Sequence, residues 1–462
     1  MTQIELKNLK KGKLIAEGKT KALYEVKSHP ELLWVKNKED ITAFDDEKFT
    51  KSFATKSVYA TNTTCRVFEL LGSAGIPVAY VGQVSDTEFI APRLDMVNLE
   101  VVGRRYAVGS YLDRNPNLAV PDGEQPHRFH SYKCEFFLKT TGGQLLVNGM
   151  PIVSGLKGLV TNKKTGRYKT GKVDDPWIPN PEDSDEWRLV NPKLPEWHEK
   201  FDLGKTVNPM LVVRKFKHMT EMKKQLLRTA YVLEKAWAIL LMRKIDFKIE
   251  FGYDMSGNLL IGDVIDGDSW RLRDQNWVDF SKQSFRDGED LSKVEKKYGY
   301  VSKLADRLSI PKQVIVIWRG SPDDSDLSEE RAAIGKEANG SIEFVDIVAS
   351  GHKKSMIALD KLNKLEGKYL QGGFVITNVG RSNGLGPTLA CHTSWPVQSI
   401  CATYDEHPED IYSSVNMPSG APHTATPYPK LALMAALNHL ALSNPVAYMI
   451  RAEALEKLDN IY

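Results

Sequence analysis

The sequence predicts two successive folds, an α+β half followed by a doubly wound α/β half built on a parallel sheet. Three observations carry this. Up to about residue 300, short strands, turns and a few helices follow one another without a regular βαβ rhythm. From Pro311 the texture changes, and Val314-Ile315-Val316-Ile317 is a continuous apolar run ending at Gly320-Ser321, as a strand buried on both faces reads. The 462 residues exceed one ordinary domain and fit two or three. A border near 305 gives domains 1–305 and 306–462.

The first half opens on Glu17-Gly18-Lys19-Thr20-Lys21, ahead of a strand-like run from Ala22 to Val26. Ser57 to Leu71 reads as a helix, with Val58, Val67, Phe68 and Leu71 on its apolar face. Thr220 to Lys244 is a longer one, carrying Leu226, Leu227, Ala230, Leu233, Trp237, Leu240 and Leu241 at helical spacing. Asp246–Tyr253 and Leu259–Ile265 follow as strands joined by a turn at Ser256-Gly257. The stretch 141–209, rich in Gly, Lys, Asp, Pro and Trp, reads as an elaborated surface loop. Lys282 to Arg307 reads as one helix that doubles as a linker. In the second half, strands at Ile342–Ala349, Gly373–Asn378 and Pro396–Cys401 alternate with helical segments. The last helix runs from Pro429 to Ser443 and carries Leu431, Met434, Leu437 and Leu440.

Composition narrows the function classes. Apolar content of 42% and charged content of 26% are those of a globular protein with a full core. A formal charge of +3, with no basic block, argues against a nucleic-acid partner. The four cysteines (Cys65, Cys134, Cys391, Cys401) show no Cys-x-x-Cys spacing, which fits a reducing cytosol. There is no signal-peptide core and no apolar run of membrane-spanning length, so no membrane partner is expected.

Chemistry-bearing residues cluster in both halves. Gly18 lets backbone approach a phosphate, while Lys19 and Lys21 supply charge for a polyanion; the spacing is not that of a P-loop. Period-two alternation puts Asp246, Lys248 and Glu250 on one strand face. A two-residue turn at Ser256-Gly257 would set Glu250 opposite Asp263. Two facing carboxylates repel and call for a cation, naturally Mg²⁺ with nucleotide phosphates. An exposed polar strand face neutralised by Lys248 remains the alternative. Arg104-Arg105 and Gly109-Ser110 form an anion-binding candidate, a fork of donors beside a hydroxyl. In the second half, three strand ends carry loops with polar residues: Gly320-Ser321-Pro322-Asp323-Asp324, Ser350-Gly351-His352-Lys353 and Gly380–Pro387. Ligands of open parallel sheets bind at such ends.

These motifs carry a resemblance. Residues 10–295 resemble phosphoribosylaminoimidazole-succinocarboxamide (SAICAR) synthetase. Glu17–Lys21, Asp40-Ile41-Thr42-Ala43-Phe44-Asp45, Arg104 with Gly109-Ser110, Asp246-x-Lys-x-Glu-Phe-Gly252 and Asp268-Ser269-Trp270-Arg271 match its motifs in order. The resemblance implies an ATP-grasp-like domain that joins L-aspartate to a carboxylated aminoimidazole ribotide using ATP and Mg²⁺. Lys19, Lys21 and Gly18 would then cradle ATP, Glu250 and Asp263 would face the metal, and Arg104 and Ser110 would hold the ribotide phosphate. Asp246 and Lys248 would serve catalysis. Thr61-Asn62 stands where relatives place Asn-Lys, and 141–209 is longer than in animal relatives; Asp174-Asp175-Pro176-Trp177 within it matches the acidic active-site loop.

Residues 312–445 resemble the aminoimidazole ribotide (AIR) carboxylases, through His352-Lys353, Gly-Arg-Ser-Asn-Gly-Leu-Gly-Pro at 380–387 and Pro418-Ser419-Gly420. The match is to the class that uses CO₂ directly, with no biotin and no metal in the site. It implies His352 as the proton shuttle at the imidazole carbon, Lys353 beside the developing carboxylate, and Ser382 and Asn383 as walls of the CO₂ pocket. Ser321, Asp324 and Arg381 would hold the phosphate and ribose end of the ribotide. The resemblance also implies a homo-octamer built around the carboxylase domains. Departures are Trp318-Arg319, Asp323 in place of a serine, Gly351 in place of alanine, and Asn378-Val379. They leave open an alternative in which the second domain serves assembly alone.

Overall fold

The computed structural model describes residues 5–18, 20–42, 50–53, 55–121, 124–147, 149–161, 168–172 and 175–459. Lys19, Ala43 to Asp45, Lys163 to Gly166 and Asp174 lie outside them. The chain divides into two compact units, Met1–Gly72 with Ile76–Leu308, and Ser73–Gly75 with Ser309–Tyr462.

The first unit is built on antiparallel sheets. A five-stranded sheet runs in the order Lys11–Glu17, Lys21–Val26, Leu32–Asn37, Glu88–Pro92, Gly82–Ser85. Beside it in sequence, the helix Lys56–Ser73 buries Val67, Phe68 and Leu71. The larger sheet is centred on two long strands, Asp95–Tyr106 and Arg243–Tyr253, which pair directly. Arg128–Leu138 flanks the first, and Leu259–Ile261 and Trp270–Arg273 flank the second. The helix His218–Ile239 buries Leu226, Ala230, Leu233 and Trp237, the face its spacing predicts. It ends earlier than the periodicity suggests, because Leu241 takes a left-handed conformation (φ 63°). Lys244 therefore sits on the following strand rather than on the helix.

Three expectations are corrected here. The 141–209 stretch contains several strands, of which Trp177–Ile178, Trp187–Val190 and Asp202–Val207 extend the large sheet beyond Arg128–Leu138. These strands are two to six residues long, and their turn-rich flanks conceal the buried Trp187, Leu189 and Val190 that dock them. The 282–307 segment is two helices, Lys282–Arg286 and Leu291–Ala305, broken at Gly288 (φ 87°) and restarted by Asp290, which accepts from the Ser292 N–H. It is no bare linker, since Phe285, Val294 and Tyr298 pack with Ile41 and Phe53. The hairpin register also differs by one residue. Phe251 pairs with Ile261 and Tyr253 with Leu259, so Glu250 lies opposite Gly262, not Asp263. The cause is a longer turn, in which Asp254 gathers the N–H groups of Ser256 and Asn258 and Gly257 supplies φ 82°.

The second unit is the expected doubly wound α/β fold. Its five strands are all parallel, in the order Ile342–Val348, Gln313–Arg319, Gly373–Val379, Val397–Cys401, His423–Thr426. In chain order this is 2-1-3-4-5, so the switch point falls between Gln313–Arg319 and Gly373–Val379. The strand Gln313–Arg319 is buried from Gln313 to Trp318. One apolar core, with Ile315, Ile317 and Ile376, packs on the helix Pro429–Leu440; the other, with Val314, Val316 and Val375, packs on Ser355–Lys368. Pro429–Leu440 is not the last helix. Asn444 caps a further one, Pro445–Asp459, by accepting the N–H groups of Val446 and Ala447.

Two candidate active sites

In the first unit, the two long strands bring carboxylates and lysines to one sheet face. Glu250 lies directly across from Glu100. Like charges in that position are destabilising unless neutralised. Two lysines neutralise them: Lys248 Nζ donates to Glu100 at 2.6 Å, and Lys139 Nζ donates to Glu250 at 2.6 Å. Lys21, from the small sheet, donates to Asp263. Burial and the Asp263 charge push the Glu250 carboxyl up, against the pull of Lys139 and Lys248. Asp263 moves the other way: burial opposes its charge, but the Lys21 ammonium, with Lys248 behind it, holds its carboxyl below the usual range. Lys248 is held above the ordinary ammonium value, because Glu100 and Glu250 outweigh its burial. Lys21, Lys248, Glu250 and Asp263 thus belong to one electrostatic cluster, in which sequence reasoning missed Glu100 and Lys139. Gly18 forms the adjacent turn, its N–H donating to the Lys21 carbonyl at 2.8 Å and its carbonyl accepting from Lys38.

A second group on the same strands is fully paired. Arg104 is buried, donating through Nε to Glu135 at 2.5 Å and through Nη1 to Asp246 at 2.8 Å, while Nη2 reaches Ser110 Oγ at 3.3 Å. Arg114 also donates to Glu135. Asp246 additionally accepts from Arg271. Asp246 therefore acts on its surroundings by fixing two guanidiniums. Arg271 lies against the Ser110 turn: a Cβ on Gly109 (φ 61°) would stand 2.9 Å from Arg271 Nη2. Only glycine fits there. Arg271, the last residue of Asp268-Ser269-Trp270-Arg271, lies against Gly109 and is the more open of the two guanidiniums beside this turn.

Asp266 and Asp268 form a third group with Lys56, Lys282 and Tyr298. Lys56, though 2% exposed, donates to Asp268 at 3.3 Å, and the Tyr298 hydroxyl donates to Asp268 at 2.7 Å. Burial and the Asp268 charge push Asp266 up to about 6, against Lys56. Asp268 is held far below the usual range; its burial is outweighed by Lys56 and Lys282. Asp175 accepts from the Thr140 N–H at 2.7 Å, and burial raises its carboxyl.

In the second unit, the three strand-end loops flank the switch point. Ser321 N–H donates to Asp324 Oδ2 at 2.8 Å, so these two residues are held together. His352 is exposed and seated on the glycine run: a Cβ on Gly384 would lie 2.3 Å from its Nε2. A Cβ on Gly351 would stand 2.5 Å from Leu385 Cα, which explains why glycine replaces alanine there. Lys353, Arg381 and Ser382 are exposed, and Arg381 takes a left-handed φ of 58°. Asn383 is buried and its amide is spent within the fold. Nδ2 donates to Ser399 at 2.7 Å and Ser414 at 2.9 Å, and Oδ1 accepts from the Gly386 N–H. It shapes the loop rather than lining a pocket with a free amide. Behind it, Ser399 meets His423 Nε2 at 2.7 Å, and burial lowers that imidazole.

Comparison with known proteins matches residues 14–148 and 200–304 to the SAICAR synthetase family and residues 313–457 to the AIR carboxylase family. The chain is 30% identical over 97% of its length to the probable multifunctional protein ADE2 of Caenorhabditis elegans, covering 95% of that protein. The chain belongs to the bifunctional AIR carboxylase/SAICAR synthetase family. A Drosophila melanogaster member is 30% identical over 98% of this chain and 95% of its own length, and the Homo sapiens member 29% over 98% and 96%. The protein is thus a bifunctional enzyme of purine biosynthesis, with a ligase unit and a lyase unit. Among the described residues no helix is long and apolar enough to cross a membrane.

Proposed function

We propose that the carboxylase unit adds CO₂ to aminoimidazole ribotide and that the synthetase unit joins the product to L-aspartate with ATP. The observation that carries this reading is that one chain matches both families while each unit keeps a built site: the Lys21–Lys139–Lys248 cluster with Glu100, Glu250 and Asp263, and His352 on the glycine run.

In the synthetase unit, the ribotide carboxylate is a poor electrophile until an oxygen attacks the γ-phosphorus of ATP, releasing ADP and leaving an acyl phosphate. The aspartate amine then attacks the acyl carbon, a C–N bond forms, and inorganic phosphate leaves. Lys21 and Lys248, with Lys139 beside them, would spread the phosphate charge, and Gly18 and Lys19 would line its approach. Ser110 and Arg271, with Arg104 fixed behind them, would hold the ribotide phosphate. Glu250 and Asp263, which accept from Lys139 and Lys21, would offer carboxylate oxygens to a hard cation in place of those lysines; burial and the Asp263 charge raise the Glu250 carboxyl. Mg²⁺ held there would neutralise the phosphate oxygens.

In the carboxylase unit, the electron-rich imidazole carbon attacks CO₂, and His352 takes the ring proton that leaves as aromaticity returns. Lys353 would meet the new carboxylate. Ser321, Asp324 and Arg381 would receive the phosphate and ribose end, while Ser382 and the loop ordered by Asn383 would close on CO₂. By family resemblance the subunits would form a homo-octamer through this unit; exposed Met356, Leu370 and Leu442 offer apolar surface for assembly.

The test follows ADP release by full-length protein given the carboxylated ribotide, ATP and Mg²⁺, with and without aspartate. Aspartate-dependent ADP release that falls at least about 100-fold in Glu250→Gln is expected. Unchanged turnover in that variant would remove the assigned cluster from the reaction.

A further inference from the structure

Two of the departures from the family pattern, Arg319 and Asn378, converge on one loop. They are cross-strand partners at the switch point, at the carboxyl ends of the first and third strands. Arg319 Nη1 donates to the Pro322 carbonyl at 2.9 Å and to the Asp324 carbonyl at 3.1 Å. Its Nε and Nη2 grip both oxygens of Asp346, on the neighbouring strand, at 2.9 and 2.5 Å. From the other side, Asn378 Nδ2 donates to the Ser325 carbonyl at 2.9 Å. The Asn378 side chain is buried, so its position is fixed by the sheet. Within the loop, Asp324 takes the Ser321 N–H.

We propose that Arg319 and Asn378 are positioning residues that set the affinity of the carboxylase unit for the ribotide's phosphate end. This rests on the reading of Ser321 and Asp324 given above. In a trans peptide the C=O and N–H point to opposite sides. Pinning the Pro322 and Asp324 carbonyls on one guanidinium therefore turns the N–H groups of Asp323 and Ser325 away from Arg319, while Asn378 holds the Ser325 carbonyl; the Asp323 N–H donates to Ser321 Oγ at 3.3 Å and fixes that hydroxyl. Ordered backbone N–H groups beside a fixed hydroxyl are what a phosphate binds. The bidentate Asp346 pair gives the clamp a rigid base, since a guanidinium held by two parallel bonds has little freedom left. In this geometry the two departures order the loop.

The test measures KM for aminoimidazole ribotide and kcat of carboxylation in full-length Arg319→Ala, Arg319→Lys and Asn378→Ala, with aspartate ligation as the internal control. Arg319→Ala is expected to raise KM about tenfold with kcat within about twofold and ligation unchanged. Arg319→Lys restores little, because one ammonium cannot span a carboxylate and two carbonyls. An unchanged KM in both alanine variants overturns the proposal, as does a fall in kcat alone. If Arg319→Ala fails to fold, Asp346→Asn keeps the guanidinium and is expected to raise KM in the same direction by less. If the wild type shows no carboxylation, the parent reading has failed. The clamp is then judged by amide exchange across 321–325: faster exchange in Arg319→Ala upholds it, and equal exchange refutes it.

Discussion

Asp266 shows how a single side chain reports on its surroundings. Its carboxyl sits at about 6, raised by burial and by Asp268. The folded protein therefore holds its proton more tightly than the unfolded chain, whose carboxyl lies near the ordinary 3.8. A raised carboxyl contributes stability that is present below the unfolded value and is lost as pH rises through the folded one. Asp266→Asn should consequently stabilise the protein at pH 8, by roughly 1–3 kcal/mol, and make little difference at pH 4. Denaturant midpoints at the two pH values measure this; equal effects at both would contradict the buried-charge account. At this scale the sequence was informative about residue type and weak about partners. Lys21, Lys248, Glu250 and Asp263 were legible as a charged set. That Glu100 faces Glu250 was not, because strand pairing across about 150 residues leaves no local pattern.

At the level of elements, the glycine run 380–387 is defined by what glycine leaves out. Gly384 leaves room for the His352 ring, and Gly386 leaves room for Ser399 and His423, whose polar atoms a Cβ would meet at 2.4 and 2.5 Å. Gly384→Ala should displace the imidazole and lower carboxylation at least about 100-fold, with aspartate ligation unchanged. Paired assays on one preparation check it, and wild-type carboxylation in the variant would show that His352 does not depend on this seat. The parallel strands of the second unit were legible because a doubly covered strand is apolar throughout, as Val314 to Ile317 is. The strands within 141–209 were not, since a strand such as Trp177–Ile178 is too short to show alternation. The hairpin register failed for a local reason: Asp254 closes a longer turn than Ser256-Gly257 alone suggests.

For the whole molecule, the two units are held by separate sets of residues. Arg104, Arg114, Glu135 and Asp246 form a buried ion network in the first. The second rests on aliphatic cores on both faces of its sheet. Removing one member of a buried network strands its partners, at a cost of roughly 3–5 kcal/mol. Glu135→Ala should therefore lower one calorimetric transition and leave the other in place. A single transition that shifts as a whole would show that the units unfold together.

The central claim is that the second unit carries out chemistry and is not kept for assembly alone. The most direct measurement is carboxylation of aminoimidazole ribotide by full-length protein with bicarbonate and no ATP, for wild type and His352→Asn. Turnover in the wild type that is lost in the variant, with aspartate ligation intact in both, is the predicted result. No carboxylation by a folded wild type that still ligates aspartate would contradict the account.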